Sequence, residues 1–130
     1  MNIFCDMDGV LVRQTGRDGF DKMPWMPDGR VLWEFIAPMG PIILSMLPDE
    51  NMHRAAPQKI EWCARELGKD VAVTITPDSI GKAKYAEAGD VLIDDNQKHA
   101  SGWIANGGIF ILHRSAKASI SVLQRLLAVA

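Results

Sequence analysis

Apolar positions along this chain fall into five short runs, separated by stretches in which apolar residues recur at helical spacing. The runs are residues 1–5, Pro41-Ile42-Ile43-Leu44, Val71 to Ile75, Val91-Leu92-Ile93 and Ile109-Phe110-Ile111-Leu112. Runs this short, bounded by Gly, Pro or Asp, read as buried strands. Asp28 to about Ala37 predicts a helix with Val31, Leu32, Phe35 and Ile36 on one stripe. Residues 46–56 read as a loop, and Pro57 suits the first turn of a second helix. Ile60, Cys63, Ala64 and Leu67 form its stripe, and Gly68 ends it. Ser79 to Ala86 reads as a short helix or turn. Asn96 to Ala105 predicts a helix with Trp103 and Ile104 inward, and Ala116 to Ala128 one that buries Ile120, Leu123 and Leu127. Strands alternating with helices predict an α/β fold: a five-stranded parallel sheet with helices on both faces.

Residues 13–27 break the alternation. They hold two glycines, two prolines and mixed charge, with Phe20, Met23, Trp25 and Met26 interleaved. The stretch reads as a loop or short β-flap whose aromatic and Met residues pack on the body or cover a ligand. Arg13 and Arg17 in it read as solvated charge.

The chain has 130 residues, enough for one domain, 1–130, with a sizeable core. A net charge of −2 gives no global pull toward nucleic acid or membrane. Cys5 and Cys63 lie within apolar patterns and read as reduced core thiols of a cytoplasmic protein rather than a disulfide. No apolar run is long enough to span a bilayer, and residues 1–12 lack the pattern of a signal peptide.

The chemistry sits where apolar runs end in polar residues. The first closes in Asp6-Met7-Asp8-Gly9-Val10-Leu11. Asp6 and Asp8 are two apart, so a regular strand would put them on one face, and the turn at Gly9 lets them converge. Converging carboxylates repel unless a cation neutralises them, and Mg²⁺ prefers such oxygen ligands. A carboxylate can also attack phosphorus and form an aspartyl-phosphate. The second run ends in Ser45, and the fourth in a second acidic pair, Asp94-Asp95. Lys59, near the start of its helix, can neutralise a nucleophile and a phosphate together. Lys82 and Lys84 could also reach a phosphate. His53 reads as a solvated loop residue, and His113 and Arg114 as structural.

Asp6-Met7-Asp8-Gly9-Val10-Leu11 resembles motif I of the haloacid dehalogenase superfamily, D-x-D-x-[TV]-[LV] after an apolar strand. The resemblance implies a three-layer Rossmann-like fold with strand order 3-2-1-4-5. It also implies a Mg²⁺-dependent phosphatase with Asp6 as nucleophile, Asp8 as general acid/base, and Ser45 and Lys59 as motifs II and III. The resemblance further implies that Asp94 and Asp95 are motif IV and would complete a metal site with Asp6 and Asp8. Asp94 would bind directly, and Asp95 through water or by holding Lys59. Backbone groups at Met7, Gly9 and Met46 are implied around the phosphate, with Lys82 and Lys84. Residues 41–112 are most similar to the 5′(3′)-deoxyribonucleotidase branch. The likeness lies in Gln58-Lys59-Ile60-Glu61-Trp62, Glu66-Leu67-Gly68, Gly89 through Asp95 and Trp103 through Ile109. That branch implies a nucleoside monophosphate as substrate. Its helical cap between motifs I and II has no room here, so the lid would be the 13–27 flap or a neighbouring subunit in a homo-oligomer. The alternatives are a bulkier substrate, such as a nucleic-acid end or a phosphoprotein, and a module that binds Mg²⁺ and phosphate without turnover.

Overall fold

The structure, a computed structural model, describes residues 1–13 and 19–129. Five strands form one sheet: β1 (Ile3–Cys5), β2 (Ile42–Leu47), β3 (Ala72–Pro77), β4 (Val91–Asp94) and β5 (Ile109–Leu112). All neighbours pair in parallel, in the order β3-β2-β1-β4-β5. The α-helices are α1 (Gly29–Ile36), α2 (Met52–Glu66), α3 (Ala100–Ala105) and α4 (Ala116–Ala128). This is the α/β, Rossmann-like arrangement that the alternation of runs predicts.

Successive strand residues point to opposite faces, and the core divides by that parity. Ile3, Cys5, Ile43, Val91, Ile93 and Ile111 face one side, where α1, α2 and α4 cover them with Leu32, Trp62, Cys63 and Leu123. Phe4, Leu44 and Leu92 face the other, under Trp103 of α3 and the half-buried Tyr85. The Trp103 indole N–H donates to the Asp90 carbonyl at 3.0 Å, so the large ring is buried without stranding its donor. Covering both faces suits strands that are apolar throughout.

All four helices differ in part from their sequence readings. α2 begins at Met52, so Pro57 lies inside it. The missing N–H removes only one bond near the start of the helix, while the 3-10 turn Asp49–Asn51 and the buried Ala55 extend the helix backwards. The buried stripe of α2 is Ala55, Lys59, Trp62 and Cys63; Ile60 is 48% exposed and Ala64 is exposed. In α3, Trp103 is buried but Ile104 is 56% exposed, and the stretch before it is a 3-10 turn, Gln97–His99. α4 buries Leu123, with Ile120 half-buried and Leu127 at the surface. In α1, Leu32 and Ile36 are buried as read, whereas Val31 is exposed. Asp28 caps α1 only by position: its carboxylate accepts instead from the Ala116 N–H at 2.6 Å, tying α1 to α4. Between β3 and β4 the expected short helix is a 3-10 turn, Ala83–Tyr85.

Between β1 and β2 the described residues form α1 and two 3-10 turns, Phe20–Lys22 and Ala37–Met39, with no further helical bundle. Arg17 and the rest of 14–18 lie outside the described residues. The flanks of that stretch pack on the body. Val12 bridges Trp25, the Trp62 indole N–H donates to the Met23 carbonyl at 2.8 Å, and Trp25 donates to Glu66 at 3.0 Å. Cys5 and Cys63 are free, and burial pushes the Cys63 thiol up to about 12. No helix among the described residues is long and apolar enough to cross a membrane.

Candidate functional site

Parallel strands bring their carboxyl ends to one edge, and ligands of open α/β sheets bind there. Cys5 pairs with Ile93 and the Asp6 N–H donates to the Ile93 carbonyl at 3.0 Å. Asp6 and Asp94 therefore leave adjacent strands level with each other, on the Phe4 and Leu92 side. Asp95 follows, and one oxygen from each of Asp6, Asp94 and Asp95 lies within 4.8 Å of the others. Gly9 has φ +80°, and a Cβ there would overlap the Asp95 carboxylate. Only glycine lets the loop after β1 close on the acidic cluster.

Lys82 is the cation of that cluster. Its buried ammonium donates to Asp6 Oδ1 at 2.9 Å and Asp94 Oδ2 at 2.7 Å. Burial works against its charge, but Asp6 and Asp94 together outweigh that and raise its pKa. Burial pushes Asp6 well above the usual carboxyl range; Lys82 pulls it back, and Asp94 adds to the rise. Burial also raises Asp95, with Asp94 contributing. Three carboxylates around one ammonium resist full ionisation, and a hard divalent cation would relieve that strain. The all-oxygen donor set of Asp6, Asp94 and Asp95 fits Mg²⁺.

Lys59 serves a different pair. It is fully buried on α2 and donates to Asp8 Oδ2 at 2.8 Å and Ser45 Oγ at 2.7 Å. The expectation that Lys59 neutralises Asp6, or is held by Asp95, is thus corrected. α2 packs on the opposite face of the sheet from Asp6 and Asp94, so its lysine meets Ser45, which shares that face with Ile43. Asp8 accordingly stands apart from the acidic cluster, with its carboxylate turned to Lys59 rather than to Asp94 and Asp95. Its Oδ1 is buried and has no hydrogen-bond partner among the described residues. A buried carboxylate oxygen left unpaired is unusual and points to a group missing from the site. Ser45, while accepting from Lys59, keeps its own O–H to donate.

A cleft of about 520 Å³ opens over these residues, lined by Asp6, Asp8, Gly9, Lys82, Asp94 and Asp95 on its floor. Arg13, Met26, Met46, Asn96, Lys98 and His99 complete the wall. Sequence reasoning gave no role to Asn96, Lys98 and His99. The available signal was their position, directly after an acidic strand end. Burial lowers the His99 pKa, against a smaller opposing pull from Asp94. Three expected phosphate contacts are corrected. Met7 is fully buried against Cys63, with its sulfur 3.7 Å from the thiol, and lines no part of the cleft. The Gly9 N–H is consumed by the Val12 carbonyl at 2.8 Å, so Gly9 shapes the cleft wall without donating to it. Lys84 is exposed, its ammonium 5.6 Å from the Tyr85 ring centre, away from the cleft. His113 is buried and meets Ser119 Oγ through Nδ1 at 2.7 Å, and Arg114 donates to the Asp95 carbonyl at 3.2 Å; both are structural. His53 is exposed.

The chain matches no family model and no curated protein significantly.

Proposed function

We propose that this protein is a Mg²⁺-dependent phosphomonoesterase of the haloacid dehalogenase type that acts on a nucleoside monophosphate through an aspartyl-phosphate on Asp6. The observation that carries the reading is a pair of carboxylates in one cleft with separate partners. Asp6 is held through one oxygen by Lys82, and Asp8 is held through one oxygen by Lys59 while its other oxygen is unpaired. Two carboxyl groups in different environments can take different roles, nucleophile and acid/base. The substrate class rests on the likeness of residues 41–112 to the deoxyribonucleotidase branch.

In the first step an Asp6 oxygen bonds to phosphorus as the bond to the leaving oxygen breaks. Protonated Asp8 gives that oxygen its proton. Asp8, now a carboxylate, takes a proton from a water whose oxygen attacks phosphorus. The bond from phosphorus to Asp6 then breaks, phosphate leaves, and Asp8 is again protonated. Lys82 neutralises Asp6 and Asp94 throughout. Ser45 is fully buried and lines no part of the cleft, so it acts through Lys59, which it helps to hold against Asp8. Bound by Asp6, Asp94 and Asp95, Mg²⁺ would offset phosphoryl charge and help align the ester.

The test is phosphate release from 5′- and 3′-nucleoside monophosphates and an aryl phosphate, with Mg²⁺ and with EDTA. Release that needs Mg²⁺ and falls on the order of 10⁴-fold or more in Asp6→Asn is the expected result. Turnover by that variant at the wild-type rate would overturn the mechanism. Activity confined to the aryl phosphate would keep the chemistry and reject the nucleotide.

A further inference from the structure

Two cavities meet at Asp8. One is the cleft that holds Asp6, Asp94 and Asp95. The other, of about 300 Å³, contains none of those three; Asp8, Phe20, Met46, Pro48, Asn51 and Lys98 are among its lining. The cavities share Asp8, Met46 and Lys98. A phosphomonoester on the acidic floor must pass its leaving oxygen to Asp8. The rest of the leaving group then extends away from the carboxylate cluster, and the second cavity is the space on that side of Asp8.

Phe20 is the aromatic side chain of a lining that also holds Lys59 and Asp78. The 3-10 turn Phe20–Lys22 is anchored to α2, with the Phe20 N–H donating to Gln58 Oε1 at 3.1 Å. Its ring centre lies 5.3 Å from the Lys59 ammonium, which is itself bonded to Asp8. The ring is thereby fixed beside the acid/base group yet remains half-exposed. Met46 of β2 and Pro48 just after it bring a thioether and a compact apolar ring to the same cavity. Aromatic and sulfur surfaces favour a planar π-system over a flexible polyol. Asn51 adds a group that both donates and accepts.

We propose that this second cavity is the leaving-group subsite, that it takes a planar aromatic or heteroaromatic ring, and that Phe20 is its specificity-determining residue. The proposal rests on the phosphomonoesterase reading for the direction in which the leaving group lies.

Phenylphosphonate and methylphosphonate separate the two claims, because both present the phosphoryl group and neither can be hydrolysed. Their affinities are measured by titration calorimetry with Mg²⁺, for wild type and for Phe20→Leu, which keeps apolar packing and removes the ring. Wild type is expected to bind the phenyl compound about tenfold more tightly, and Phe20→Leu to lose most of that preference. The ratio within one variant cancels any general loosening of the fold, which circular dichroism checks separately. Equal affinities in wild type, or a preference that survives in Phe20→Leu, overturn the subsite even if phosphate esters are turned over. A ring preference that depends on Phe20, with no phosphate released from phenyl phosphate or from any nucleoside monophosphate, keeps the ring-binding cavity and overturns the phosphomonoesterase reading. The same variant should also narrow the kcat/KM advantage of phenyl phosphate over glycerol phosphate, chiefly through KM.

Discussion

Two buried lysines reach the carboxyl edge of one sheet from opposite faces, and they meet different chemistry. Lys82, in the turn after β3, comes from the Phe4 and Leu92 side and spans Asp6 and Asp94. Lys59, on α2, comes from the Cys5 and Ile43 side and spans Asp8 and Ser45. Strand parity makes the division. Asp6 and Asp94 continue the even positions of their strands, whereas Ser45 continues the odd position of Ile43. The charge balance differs as well. Lys59 faces one carboxyl group, while Lys82 faces two, with Asp95 close by, so carboxyl groups outnumber ammonium groups on that side. Carboxyl groups thus crowd one side of the edge, and a single one is fixed on the other.

The largest expected effect is on the Lys82 side. Lys82→Met leaves two buried carboxylates without their cation. In EDTA the variant should lose about 3–5 kcal/mol of unfolding free energy, measured by denaturant titration. Mg²⁺ should restore more stability to this variant than it adds to wild type, while turnover falls on the order of 10²-fold or more. Lys59→Met should be milder, about 1–3 kcal/mol, because the Asp8 side chain keeps some contact with solvent. Its turnover should fall roughly ten- to a hundredfold through a misplaced Asp8, and Mg²⁺ should not recover its stability. Equal rescue of both variants by Mg²⁺ would show that the two lysines serve one electrostatic site.

The smallest effect concerns a buried group at the same edge of the sheet with no carboxylate bonded to it. Burial lowers the His113 pKa below its ordinary 6.5, against smaller opposing pulls from Asp28 and Asp95. As pH falls below about 6.5 the unfolded chain takes up this proton first. The stability that neutral His113 contributes is therefore present above that pH and is lost as pH falls toward the folded-state value. His113→Asn should cost about 1 kcal/mol at pH 7.5, and less at pH 5.5, where wild type has already lost part of the contribution. A stability difference that does not change between those two pH values would mean that His113 does not titrate in this window.

Much of this arrangement was legible in the chain. Asp6, Ser45, Asp94 and Asp95 stand where short apolar runs stop, and a parallel sheet brings such ends to one edge whatever the details of packing. Gly9 was legible as a turn, though not as the residue that lets Asp95 approach. Lys59 illustrates the limit. A helical stripe of Ile60, Cys63, Ala64 and Leu67 satisfies the periodicity, and a lysine does not look like part of a buried face. The helix nonetheless turns Lys59 inward and Ile60 outward, because Asp8 and Ser45 lie below it to accept the ammonium and Trp62 fills the core beside it.

Alternating apolar runs and their polar ends thus determined an α/β sheet and the edge where its carboxylates gather, since strand parity and parallel pairing are local consequences of the backbone. Which lysine neutralises which carboxylate was decided only in three dimensions. That choice depends on which face of the sheet each connecting segment crosses, and on the few ångströms by which a buried ammonium finds its acceptors. Residue spacing along the chain contains neither quantity.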